Sequence, residues 1–339
     1  MKLDASPGTE ASPLRDMRKT ARAAEDLGFA GLWTSETKHD AFLPLAIAAE
    51  ATQEIELGTS VAIAFSRSPM EVAQTAWDLQ DLAGGRFILG LGTQVKAHIT
   101  RRFSMPWVKP TARLREYILA MRAIWESFQT EGPLKFEGEF YQHTLISPFF
   151  NPGPIEHPGI PIYIAGVNTR LAHLTGETCD GFHIHPFHSP EYVRKTIQPA
   201  IAEGADKAGR NPESVELATS VFVITGENAV ETSKQRESIR AQISFYASTP
   251  TYRTVLEAHG WEKVGEKLGT MAREKKWREM PSLITDEMLS AFAIEAAPDE
   301  VGPALRDRYD GLLDRAALYV PFVPGEKDEF WRAVAESVR

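Results

Sequence analysis

Apolar positions along this chain follow two alternating spacings. Short continuous runs, "FAGLWTSE" (29–36), "IELGTSVAIAF" (55–65) and "RFILGLG" (86–92), read as buried strands. Between them lie stretches of helical period. Residues 13–27 place Leu14, Met17, Ala21, Ala24 and Leu27 on one face and end at Gly28, a C-cap residue; 41–52 and 69–83 repeat the pattern. With a strand at 2–5, these are four βα units in about 90 residues, and short hand-offs of this kind imply a parallel sheet with helices outside.

Beyond residue 92 the rhythm slackens. Residues 93–110 read as a polar loop, 112–128 as a helix, and 134–146 as a small hairpin outside the main sheet. A Pro-rich crossing leads to strand "PIYIAGV" (161–167), helix 169–177, strand 181–187, helix 190–209 and strand 215–226. Residues 228–294 read as one long helical stretch, followed by helix 298–308, strand 315–322 and helix 326–338. Eight strands in alternation predict an α/β fold, a (β/α)₈ TIM barrel. The expectation is one domain over 1–339, with insertions near 93–160 and 228–294.

In such a barrel, chemistry sits on the loops after the strands. Here those exits are small, polar or cationic: Ser35 to Asp40 after strand two, Ser60 to Arg67 in and after strand three, and Gly92, Thr93, Gln94, His98, Arg101 and Arg102 after strand four. Strand five gives Ala165, Gly166, Val167 and Asn168, and strand six gives His183, His185 and His188. The opposite ends are plain. Glu36, a lone carboxylate behind an apolar strand, suits a proton relay, a ring-orienting group, or an ion pair with Arg67 or Lys38. His183 and His185 share a strand face, but no spacing known for metal ligands surrounds them, and no metal is expected. Arg101 and Arg102 could clamp an anion or meet solvent. Ser66 and Ser68 could cap the third helix. The glycines of "GLGT" suggest close approach of a flat ligand or another backbone, not a dinucleotide fingerprint.

Of the 339 residues 43% are hydrophobic, and the net charge is −9. That balance argues against a nucleic-acid partner, which calls for a basic face. The single cysteine, Cys179, excludes an internal disulfide. No stretch reaches the roughly 18 apolar residues of a membrane span, and the reading is a cytoplasmic protein without a membrane partner.

Four segments in order, "GFAGLWTSE", "IELGTSVAIAFSRSP", "GGRFILGLGTQ" and "PIYIAGVNTRLAHLTGETCDGF", resemble the bacterial luciferase-like flavin and deazaflavin oxidoreductases, in particular the coenzyme F420-dependent group. The resemblance implies a barrel with the cofactor ring at the strand C-termini. It implies a bulge with a non-prolyl cis peptide at Ser60-Val61 behind the ring, ring and ribityl contacts from Gly92, Thr93 and Gln94, and a backbone-amide cradle for the tail at Ala165, Gly166, Val167 and Asn168. Glu36 falls where members often carry an aspartate followed by histidine; here the histidine comes at His39. Sugar-phosphate dehydrogenase members carry a glutamate after their Gly-Thr-Gly; here Gln94 follows Thr93 directly, so that substrate is not expected.

The function implied is hydride transfer between F420 and a small organic substrate. Glu36, His39, His98 and His185 surround the substrate, and one imidazole acts as proton donor. The alternatives are an FMN-dependent monooxygenase served by a separate reductase, and a non-catalytic flavin-binding barrel. The family habit of a homodimer points to the apolar faces of the second and third helices.

Overall fold

The computed structural model describes residues 1–7 and 14–338, so residue 13, the expected start of the first helix, lies outside the described residues. Eight parallel strands form the barrel: β1 (Lys2–Ala5), β2 (Gly31–Thr34), β3 (Glu56–Thr59, resuming at Ala62–Ile63), β4 (Phe87–Gly92), β5 (Ile162–Gly166), β6 (Gly181–Ile184), β7 (Glu216–Ile224) and β8 (Arg315–Leu318). Each pairs with the next, and β8 returns to β1 with Leu3 opposite Ala316, closing the ring.

The connecting helices follow the sequence pattern. Helix α1 (Leu14–Asp26) buries Met17, Ala21 and Ala24, as its period predicts. Helix α2 spans Leu43–Ala51 and α3 spans Pro69–Leu82. Ser68 caps α3 by accepting from the Glu71 amide, ahead of a proline at the first helical position. Ser66 instead donates to the Ile63 carbonyl.

Three readings are corrected. The loop 93–110 contains a helical turn and a half, α4 (Lys96–Arg101), too short and too polar to show a period. It is followed by α5 (Pro110–Thr130), a residue or two longer at each end than expected. Strand three bears the implied cis peptide at Ser60–Val61, but it does not run on to Phe65 as read: it ends in a 3₁₀ turn over Ala64–Ser66. The segment 228–294 is not wholly helical: Ala293–Glu295 adds a three-residue strand parallel to β7.

The barrel interior is packed by pairing large side chains with glycines on the next strand. A Cβ on Gly58 would stand 2.2 Å from the Trp33 ring, and one on Gly181 would stand 2.5 Å from Tyr163. One on Gly31 would lie 2.5 Å from the Arg315 guanidinium. Trp33, Ile88, Tyr163 and Ala218 form their own small cluster inside the ring, apart from the main core between barrel and helices. Cys179 belongs to that main core, and burial pushes its thiol up to about 12.

Beneath this cluster lies an ionic layer. Arg315, fully buried, donates to both oxygens of Asp4 at 2.8 Å and to Glu56 at 2.5 Å. The Tyr163 hydroxyl donates to Glu216. Burial works against the guanidinium's charge, but the carboxylates of Asp4 and Glu56 outweigh it and keep it protonated.

Candidate active site

A cavity of about 900 Å³ opens at the C-terminal ends of the strands. This is within the usual range for small-molecule sites, about 300–1,000 Å³. Its floor holds Asp4, Trp33 and His183; its walls come from the ends and exits of seven strands and, for β7, from Ala218, Thr219 and Ser220 within the strand.

The exits of β1, β2 and β3 contribute Ser6, Ser35, Ser60 and Val61. Val61 leans across the barrel toward β4: a Cβ on Gly92 would meet its Cγ2 at 2.6 Å. Gly90 admits a backbone instead, since a Cβ there would stand 1.8 Å from the Thr59 carbonyl oxygen. The two glycines therefore answer to a neighbouring side chain and a neighbouring strand.

Thr93 and Gln94 follow. Gln94 takes a left-handed φ of 58°, and its side-chain carbonyl accepts from the Val95 amide. On the other side, Ala165, Gly166, Val167 and Asn168 lead into α6 (Thr169–Thr178). Asn168 is its N-cap, accepting from the Leu171 amide; the amides ahead of Leu171 have no acceptor within the helix.

Two cations line this same side, Lys96 and Arg170, and neither has an ion pair or side-chain hydrogen bond among the described residues. Sequence reasoning missed both. Arg170 carried a legible signal: a cation in the first turn of a helix opposes the helix dipole, which favours anions there. Arg101 and Arg102, singled out instead, are exposed outside the cavity, and Arg102 donates to the Thr37 carbonyl.

Of the four residues expected around the substrate, the structure brings one, His185, to the cavity wall. Glu36 takes the ion-pair role: its Oε2 accepts from Arg67 and from the Ile63 amide, both at 2.7 Å. Arg67 also donates to Asp40 at 2.7 Å, so this guanidinium ties the exits of β2 and β3 together. His39 is exposed on the loop after β2 and His98 on α4, and neither lines the cavity.

His185 is held by chemistry that fixes its tautomer. Its Nδ1 accepts from the Phe187 amide at 3.1 Å, so the proton sits on Nε2. Burial, with His188 beside it, pushes its pKa down to about 3 and keeps the ring neutral. Burial does the same to His183, whose Nε2 has no partner among the described residues and whose ring stands edge-on to Trp33. His188 turns away and bonds the Tyr309 hydroxyl at 3.0 Å. Among the described residues, no three His, Cys, Asp or Glu side chains come together as metal ligands. No helix among them is long and apolar enough to cross a membrane.

The profile of the luciferase-like monooxygenases matches residues 1–315. The chain belongs to that family. An uncharacterised protein of Mycobacterium tuberculosis is 44% identical over 315 residues, covering 93% of this chain and 92% of that one. A second protein of that organism, named as a coenzyme F420-dependent oxidoreductase, is 30% identical over 305 residues, with 86% of each covered. The structure of the coenzyme F420-dependent tetrahydromethanopterin reductase from Methanopyrus kandleri superposes with a TM-score of 0.76 over 99% of this chain and 97% of that one. At 20% identity that likeness speaks for the fold.

Proposed function

We propose that this luciferase-like chain is an oxidoreductase that transfers hydride between the deazaflavin coenzyme F420 and a small organic substrate. One observation carries the reading. The cavity's two cations, Lys96 after β4 and Arg170 at the start of α6, both belong to its β4–β5 side, and the lining is neutral elsewhere apart from the Asp4 carboxylate paired with Arg315 in the floor. Such a site fits a ligand with an anionic tail and a neutral ring system. The 30% identical relative named as F420-dependent favours the deazaflavin over FMN.

The residues present fit that group. Arg170, Lys96 and the amides following Asn168 would hold the tail. Gly92, Thr93 and Gln94 would border the ring, with Ser60 and Val61 behind it. The cofactor supplies the hydride chemistry; the protein orients it and keeps water from it. Glu36 acts as a positioning residue through Arg67. His185 presents a neutral N–H to the substrate side.

Titration of the apoprotein with oxidised F420 and with FMN, followed by fluorescence quenching, tests the reading. Tight F420 binding with weaker FMN binding is the expected result. The reverse order would move the function to an oxygen-using monooxygenase that needs a separate reductase, and binding of neither would overturn both. Arg170→Ala is expected to weaken the preferred cofactor by about 10-fold, the scale of one hydrogen bond to a charged group. The salt dependence of that affinity should flatten in the same variant.

A further inference from the structure

The cavity is divided by strand order. Its cations stand on the β4–β5 side. The β6–β8 side carries His185, Tyr252 and Tyr319, with Thr219 and Ser220 below them. Tyr252 comes from the segment inserted between β7 and β8. Its ring lies 4.5 Å from that of His185, tilted by 33°. Tyr246, from the same insertion, stands edge-on behind His185 at 4.6 Å and shares a 2.9 Å hydrogen bond with the Tyr319 hydroxyl. The wall is thus braced from behind, and the side chains of His185, Tyr252 and Tyr319 line the cavity.

Two donors on this wall are uncommitted. The His185 Nε2–H has no partner among the described residues, nor does the Tyr252 hydroxyl, whose pKa is raised by burial alone. Both groups are neutral. A charged substrate group placed here would lose its water and meet no counter-charge. An acceptor oxygen on an uncharged, unsaturated skeleton would meet both donors and the rings.

We infer that the second ligand of this site is a flat, uncharged carbonyl compound, bound against Tyr252 and Tyr319 with its oxygen toward His185 Nε2 and the Tyr252 hydroxyl. The inference rests on the cofactor reading above for the occupancy of the β4–β5 side, but the wall itself belongs to the protein without cofactor.

Methyl naphthyl ketone and naphthoate are matched in shape and differ in charge. Each is titrated by calorimetry into the apoprotein and into protein saturated with whichever of F420 or FMN binds. The ketone is expected to bind at least about 30-fold more tightly than the carboxylate. Tyr252→Leu should weaken the ketone by about 10-fold, and Tyr252→Phe, which keeps the ring, by about 3-fold. Cofactor affinity should stay within about 2-fold in both variants. Naphthoate binding as tightly as the ketone would overturn the inference. So would a Tyr252→Leu protein, folded by circular dichroism, that binds the ketone unchanged. If neither cofactor binds, the cofactor reading falls, while the apoprotein titrations still decide the substrate class.

Discussion

Asp4→Leu and Arg315→Met, made singly, are each expected to lower unfolding stability by about 3–5 kcal/mol, the usual result of stripping one partner from a buried ion pair. Arg315 is 0% exposed and Asp4 is 3% exposed, so neither can turn to water when its partner is removed. In the arginine variant, Asp4 is left with the Trp33 indole as its remaining donor in the layer; burial already pushes its carboxyl up, and it would take a proton. In the aspartate variant the guanidinium keeps Glu56, which is partly exposed and a weaker counter-charge. The double variant should recover much of the loss, because two apolar side chains of similar volume replace the buried pair, and Glu56, which then loses Arg315, is partly exposed and keeps Lys2 as its partner. Guanidinium unfolding of the four proteins gives the coupling energy. Simple additivity of the two single losses would show that the pair is not a unit.

The second large effect is acid sensitivity. In the folded chain His183 and His185 take a proton only near pH 3, and His188 only near pH 4, with burial the first cause in each. In the unfolded chain a histidine titrates near 6.5. Between those values the unfolded chain holds more protons, so the stability present above pH 6.5 is lost as the pH falls. From pH 7 to pH 5 the loss is about 2 kcal/mol for each of the three. His183→Phe keeps a ring against Trp33 and Tyr163 and removes one titration. Its unfolding midpoint should fall less between pH 7 and pH 5 than that of the parent. A parent protein equally stable at both pH values would show that these imidazoles are not held neutral.

The barrel was legible because its strands are short unbroken apolar runs and its helices repeat every three to four residues. These are properties of neighbouring positions. What was hidden depends on distant ones. The Glu36–Arg67 ion pair was one of three roles the sequence left open for that carboxylate, and only the distance between the two side chains decides among them; "DRAALYV" gives no hint that Arg315 turns inward to meet Asp4. The turn Lys96–Arg101 and the strand Ala293–Glu295 are too short for a period to register. The exits were correctly singled out as polar, but residue type alone could not separate His185, on the cavity wall, from His98 and His39, which are exposed. Nothing in the sequence around Tyr252 and Tyr319 distinguishes a tyrosine on the cavity wall from one in packing.

The pairing of β1 with β8 also has a timetable. The two residues of the closing ion pair are 311 positions apart in the chain. At synthesis rates of roughly 5–20 residues per second, Asp4 is made about 15–60 s before its counter-ion. Throughout that interval β1 has one open edge and an unmatched acid, both invitations to a wrong partner. A nascent chain of this kind is a client for whatever shields hydrophobic edges at the ribosome, and a truncation that removes β8 would leave the β1 edge unpaired for good.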